Sequence, residues 1–85
     1  RDDIDEQLLP IFLEEAQELV PKVGAELRAW NASQGDVNIS HSLRRALHTL
    51  KGGARMAGAI RLGELIHAVE SGIQAAIKAG RLSAE

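Results

Sequence analysis

The chain has no cysteine and no tyrosine, and only one phenylalanine, one tryptophan, one methionine and two prolines among its 85 residues. Without cysteine there is no disulfide framework and no thiolate chemistry, a usage that suits a reducing compartment. Aromatic residues make up 2% of the chain and no alternating apolar-polar run is long enough for a strand, so the composition excludes a sheet protein. No apolar run approaches the roughly 20 residues that a membrane helix needs, and no charged-then-apolar leader opens the sequence. A soluble, cytoplasmic protein with no membrane partner is the expectation. The formal net charge is only -2, so the molecule has no general field that would draw it to nucleic acid or anionic lipid. There is also no phosphate-cradling G-x-x-x-x-G-K-[ST] loop and no acidic metal cluster.

What is present is alanine, leucine, glutamate and glutamine in helical periodicity. Three amphipathic helices are predicted, over about residues 4–30, 39–57 and 60–79. In the first, Ile4, Leu8, Phe12, Ala16, Leu19, Val23, Leu27 and Trp30 recur at three- and four-residue steps. Pro10 and Pro21 oppose an uninterrupted helix: either the axis bends at one or both, or Pro10 lies near the true start and residues 4–9 form a looser turn. Asn31 to Asn38 reads as a loop, with Asn38 or Ser40 as the next cap, and Gly58-Ala59 permits a tight reversal. A third stripe of Ile60, Leu62, Leu65, Ile66, Val69, Ile73, Ala76 and Ile77 follows, with Gly80 expected to end it.

An 85-residue domain buries only about 60% of its unfolded surface, and three such helices leave one side of an antiparallel bundle open. A fourth helix or a second copy of the chain would cover it. A first residue of Arg1, and an ending at Ser83-Ala84-Glu85 with no closing element, suggest one domain (1–85) from a larger multidomain chain. Ser83 would suit the cap of a further helix.

Charge is distributed unevenly. Asp2, Asp3, Asp5, Glu6, Glu14, Glu15 and Glu18 concentrate acid in the first eighteen residues, whereas Arg44, Arg45, Lys51 and Arg55 surround His48. At about 100° per residue, Ile39, Leu43, Ala46, Leu47, Leu50, Gly53, Ala54 and Ala57 fall opposite His48, while His41, Arg44, Arg45, Lys51, Gly52 and Arg55 share its side. His48 therefore reads as an exposed nucleophile. Phosphoryl chemistry at histidine needs a neutral, accessible imidazole nitrogen, cations for the phosphate oxygens and a clear approach path. Lys51 lies one turn on, and Gly52 leaves space above the ring at a cost of about 1 kcal/mol of helix propensity relative to alanine. An antiparallel hairpin about residue 59 brings Glu70, as far from the turn as His48, alongside it, with His67 and Gln74 further toward water. A carboxylate bonded to one imidazole nitrogen fixes the tautomer and leaves the other nitrogen a better nucleophile. The plain alternative for Glu70 is a solvated carboxylate, for His41 a surface residue, and for Trp30 the end of the core stripe.

The run Arg44-Arg45-Ala46-Leu47-His48-Thr49-Leu50-Lys51-Gly52-Gly53-Ala54, with His67-Ala68-Val69-Glu70 and Leu13-Glu14-Glu15-Ala16, resembles the histidine phosphotransfer (HPt) domain of chemotaxis-type histidine kinases of the CheA class. The wording His48-Thr49-Leu50-Lys51-Gly52-Gly53-Ala54-Arg55-Met56-Ala57-Gly58 is similar to domains in hybrid kinases that govern type IV pili. The resemblance implies an all-α HPt-like bundle in which His48 is phosphorylated, Glu70 is its hydrogen-bond partner, and Lys51, His67 and Arg44 are polar members of the site. It further implies a carrier that is not an enzyme on its own. A separate kinase domain, using ATP and magnesium, would phosphorylate His48, and an aspartate of a response-regulator receiver domain would take the phosphoryl group. Arg45 and Arg55 would either meet an acidic receiver surface or simply solvate the helix. The pattern departs from the family in showing no fourth helix. Two rivals remain: a structural dimerisation module with an unused histidine, and a metal or nucleic-acid binding module. The second is opposed by the net negative charge and by the lack of an i, i+4 pair of ligands.

Overall fold

In the computed structural model, which describes residues 3–33 and 36–83, the protein is all-α: helices α1 (Leu9–Ala32), α2 (Val37–Met56) and α3 (Ile60–Ser83), with no strand among the described residues. Helix α1 starts later than its apolar stripe alone suggests. The Asp5 carboxylate accepts from the backbone N–H groups of Gln7 and Leu8, closing the turn that precedes the helix, and Pro10 then sits in the first helical turn where its missing N–H is harmless. Of the two alternatives for Pro10, the structure has the looser preceding turn. The helix continues through Pro21.

Helix α2 is capped by Asp36, whose Oδ1 accepts from Asn38 N at 2.9 Å and Ile39 N at 3.2 Å. The expected caps Asn38 and Ser40 instead lie within the first turn, and Ser40 bonds back to the Val37 carbonyl. Asp36 prevails because its extended backbone lets the side chain reach both open donors, which a residue already in helical conformation cannot do. Helix α3 also runs past Gly80, to Ser83. Residues Ala84 and Glu85 lie outside the described part.

Gly58 makes the reversal between α2 and α3 with φ +82°, a conformation that an L side chain rarely adopts. The same residue lets the N-terminal segment pass very close. Asp3 N donates to Gly58 O at 3.2 Å and Asp5 N to Ala57 O at 2.8 Å. The segment before α1 is thus tied to the far end of the α2–α3 hairpin.

Helix α2 is the centre of the fold. Both α1 and α3 pack on it, and their backbones make no contact with each other among the described residues. Leu43, Leu47, Leu50 and Ala54 of α2 with Ala57 just after it, Phe12 of α1, and Ile66 and Ile73 of α3 form the core, with Leu43 fully buried. At Gly53 the α1–α2 approach is close: a Cβ would stand 2.9 Å from Phe12 Cδ1 and 3.0 Å from Glu15 Oε1. On the flanks away from α2, Leu13 and Val20 of α1 and Leu62, Leu65 and Val69 of α3 remain exposed.

Candidate functional site

The sequence places the site on α2 by periodicity. Apolar residues at 43, 47, 50 and 54 turn one side of the helix into the core, so the residue at 48 points outward. The His48 side chain is 75% exposed. Its neighbours Arg44 and Lys51, one turn before and after, lie on the side of α2 that meets α3 and are half-buried.

Antiparallel packing then decides what faces them. Arg55 lies over Gly63, where a Cβ would stand 3.0 Å from Arg55 Cγ, and the same register brings Glu70 to His48. Glu70 retains only 8% of its accessible surface, which a solvated carboxylate would not. Three groups converge on it: Lys51 Nζ lies 2.5 Å from Oε1, His48 Nδ1 lies 4.0 Å from Oε2, and His67 Nδ1 lies 4.0 Å from Oε1. The lysine contact is a charge-assisted hydrogen bond between side chains that are 12% and 11% exposed. Burial in this position is tolerable for the carboxylate because the ammonium compensates it. The two imidazoles stand beyond hydrogen-bond length but within reach of a small rotation. Glu70 can therefore take an N–H from His48 while Lys51 holds the other oxygen.

An open cleft of about 470 Å³ lies over this cluster. Its α2 wall is His41, Arg44, Arg45, His48, Thr49 and Lys51, and its α3 wall is Glu70 and Gln74. Thr49 is occupied locally, donating its hydroxyl to the Arg45 carbonyl at 3.0 Å. No heavy atom outside its own helical neighbourhood comes within 4 Å of a Cβ built on Gly52, so the space beside the histidine is open. Of the residues singled out in the sequence, the structure brings together His48, Glu70, Lys51 and His67, with Arg44 and Arg45 on the cleft wall. Arg55 lies outside the cleft, exposed, at the hairpin end of α2. Gln74 and His41 had no role in the sequence-based site beyond lying on its side; the one-turn spacing of Gln74 from Glu70 is the signal that places it there.

A cluster of one carboxylate, one bound ammonium and two reachable imidazoles can orient a proton and present a free ring nitrogen. Among the described residues no group of three or more His, Cys, Asp or Glu is placed to hold a metal ion, and no helix is long and apolar enough to cross a membrane. Compared with known families, the sequence matches the model of the Hpt domain over residues 7–85. The chain belongs to the Hpt domain family. Hpt domains are histidine carriers in phosphorelays: they interact with kinase and receiver domains and pass a phosphoryl group without being catalysts themselves. Neither a curated protein nor a solved structure matches the chain.

Proposed function

We propose that this Hpt domain carries its phosphoryl group on His48, taking it from a histidine kinase domain and delivering it to an aspartate of a response-regulator receiver. One observation supports the reading above the others: an imidazole that is 75% exposed has its Nδ1 within 4.0 Å of a buried carboxylate on the neighbouring helix. With the Nδ1 proton directed at Glu70, the lone pair of Nε2 faces the cleft and is the nucleophile. It attacks the γ-phosphorus of ATP held by the kinase, where magnesium also resides. The N–P bond forms, the P–O bond to ADP breaks, and the ring becomes a phospho-imidazolium that keeps its Nδ1 proton. Glu70 stabilises that positive charge. In the second step a receiver aspartate oxygen attacks phosphorus, the P–N bond breaks and neutral imidazole leaves.

The other residues take roles around this step. Lys51 holds Glu70 and adds positive charge to the site; His67 stands by the same carboxylate; Gly52 keeps the approach path clear; Arg44 lines the cleft one turn before His48. Arg45 and Arg55 meet acidic surface on a partner. The parent is a cytoplasmic kinase of the chemotaxis class, of the type that governs type IV pili, which the run from His48 to Gly58 supports. For the domain on its own, pairing with a second copy would cover the exposed apolar flanks of α1 and α3. Incubation with a cognate kinase and labelled ATP tests the central reading. Acid-labile phosphate should appear on the native domain and be lost in His48→Gln; equal labelling of both would refute it by placing the phosphate on another residue, and no labelling of the native domain would favour a structural module with an unused histidine.

A further inference from the structure

We infer that Arg44, with the Gln74 amide across the cleft from it, is the main grip on the phosphoryl oxygens of phosphorylated His48, and that Lys51 is chiefly a positioning residue for Glu70. The inference rests on His48 being the phosphoacceptor and assigns the cation that serves it.

Lys51 is the obvious candidate by spacing, but its ammonium is already engaged. It lies 2.5 Å from Glu70 Oε1, and both side chains are close to nine-tenths buried. Drawing it away to a phosphate would strand a carboxylate at a position where only 8% of the residue meets solvent. An unpaired charge so placed is strongly destabilising. A phosphoryl group that adds negative charge next to Glu70 therefore needs a second cation.

Arg44 is placed to supply it. It stands one turn before His48 on α2, where i and i+4 Cβ atoms are about 5–6 Å apart, and it lines the cleft on the α3 side. It is half-buried, yet no carboxylate of the described residues lies within ion-pair distance of it. A guanidinium in that state is partly desolvated with its donors open, and its planar fork matches two phosphate oxygens. The other cleft groups are less suited. Arg45 is exposed on the outward side, His41 lies two turns from His48, and the Thr49 hydroxyl is bonded to its own helix.

Gln74 completes the grip from α3. The register that sets Glu70 against His48 and Gly63 against Arg55 sets Gln74 against Arg44, and both line the same cleft. Its amide offers two N–H donors and no charge. The phosphoryl oxygens would thus be held from the Asp36 end of α2, while Lys51 and Glu70 fix the ring from the hairpin side.

Phosphoramidate, a small phosphoryl donor that needs no kinase, tests this directly. The domain is treated with it and the phosphohistidine resonance is followed by phosphorus-31 NMR as it forms and then hydrolyses. Arg44→Met should slow formation by about tenfold, the loss of one charge-assisted bond to the transferring group. Gln74→Ala should slow it a few-fold, and both should shift the phosphorus resonance, with Arg44→Lys intermediate and helicity unchanged. Normal phosphorylation of Arg44→Met and Gln74→Ala, with an unshifted resonance, would overturn the inference and leave His48 as phosphoacceptor. No phosphohistidine on the unaltered domain would overturn the phosphoacceptor reading itself.

Discussion

Lys51 and Glu70 form the most buried charged contact described in the domain, and a double-mutant cycle measures what that contact does. Lys51→Met keeps the unbranched apolar stem of the side chain but leaves the Glu70 carboxylate without its cation. Removing one partner of a fully buried pair costs about 3–5 kcal/mol. Here the pair sits at the floor of an open cleft, with side chains 12% and 11% exposed and two imidazoles 4.0 Å from the carboxylate. Partial compensation by water and His67 reduces the expected loss to about 2 kcal/mol. That corresponds to a fall in Tm of roughly 8–16 °C for a domain of this size. Glu70→Gln should cost less, about 1 kcal/mol, because a flexible lysine stem can carry its ammonium out to water. The double variant has neither charge and should be no worse than about 1 kcal/mol below the native domain, a coupling of about 2 kcal/mol. Urea unfolding followed by circular dichroism, and by the fluorescence of the single tryptophan, Trp30, provides the three differences. Additivity within about 0.5 kcal/mol would refute the reasoning, since it would reduce the contact to the worth of an exposed surface pair.

The glycines of α2 divide by what surrounds them. Gly52→Ala meets nothing within 4 Å and should stabilise the helix by about 0.5–1 kcal/mol, whereas Gly53→Ala would press on buried Phe12 and should destabilise by about 1 kcal/mol net; equal effects in thermal melts would contradict the packing described for α1 and α2. Gly58→Ala would place a Cβ against the Asp3 carbonyl in a backbone conformation that already disfavours it, so residues 3–8 should lose amide-exchange protection before the helices do. Unchanged protection at Asp5, whose N–H is bonded to Ala57 O, would contradict the role given to that reversal.

The three-helix, all-α architecture was legible because the apolar residues of α2 and α3 recur with helical period and the reversal carries Gly58, the one position with positive φ among the described residues. Boundaries were less so. The stripe through Ile4 continues the α1 pattern, yet the Asp5 side chain closes a turn there and the helix begins at Leu9, a local hydrogen-bond choice that periodicity does not register. Asp36 as the α2 cap is hidden for the same reason, since Asp36, Asn38 and Ser40 are all good caps by residue type and only backbone conformation separates them.

At the site, the helical wheel placed His48, Lys51 and Gly52 on one face, and hairpin symmetry placed Glu70 opposite. What neither could show is the depth of Glu70 and the direction of the Lys51 ammonium. Those depend on how closely α3 approaches α2, which small residues such as Gly63 allow. The consequence is chemical: Lys51 reads from spacing as a phosphate ligand, and the structure occupies it with Glu70.

The position of the phosphoryl group on the imidazole ring tests the account most directly. Nitrogen-15 and phosphorus-31 correlation spectra of the phosphorylated domain should show phosphorus on Nε2 of His48, with Nδ1 carrying the proton that faces Glu70. Phosphorus on Nδ1, or on any residue other than His48, would contradict it.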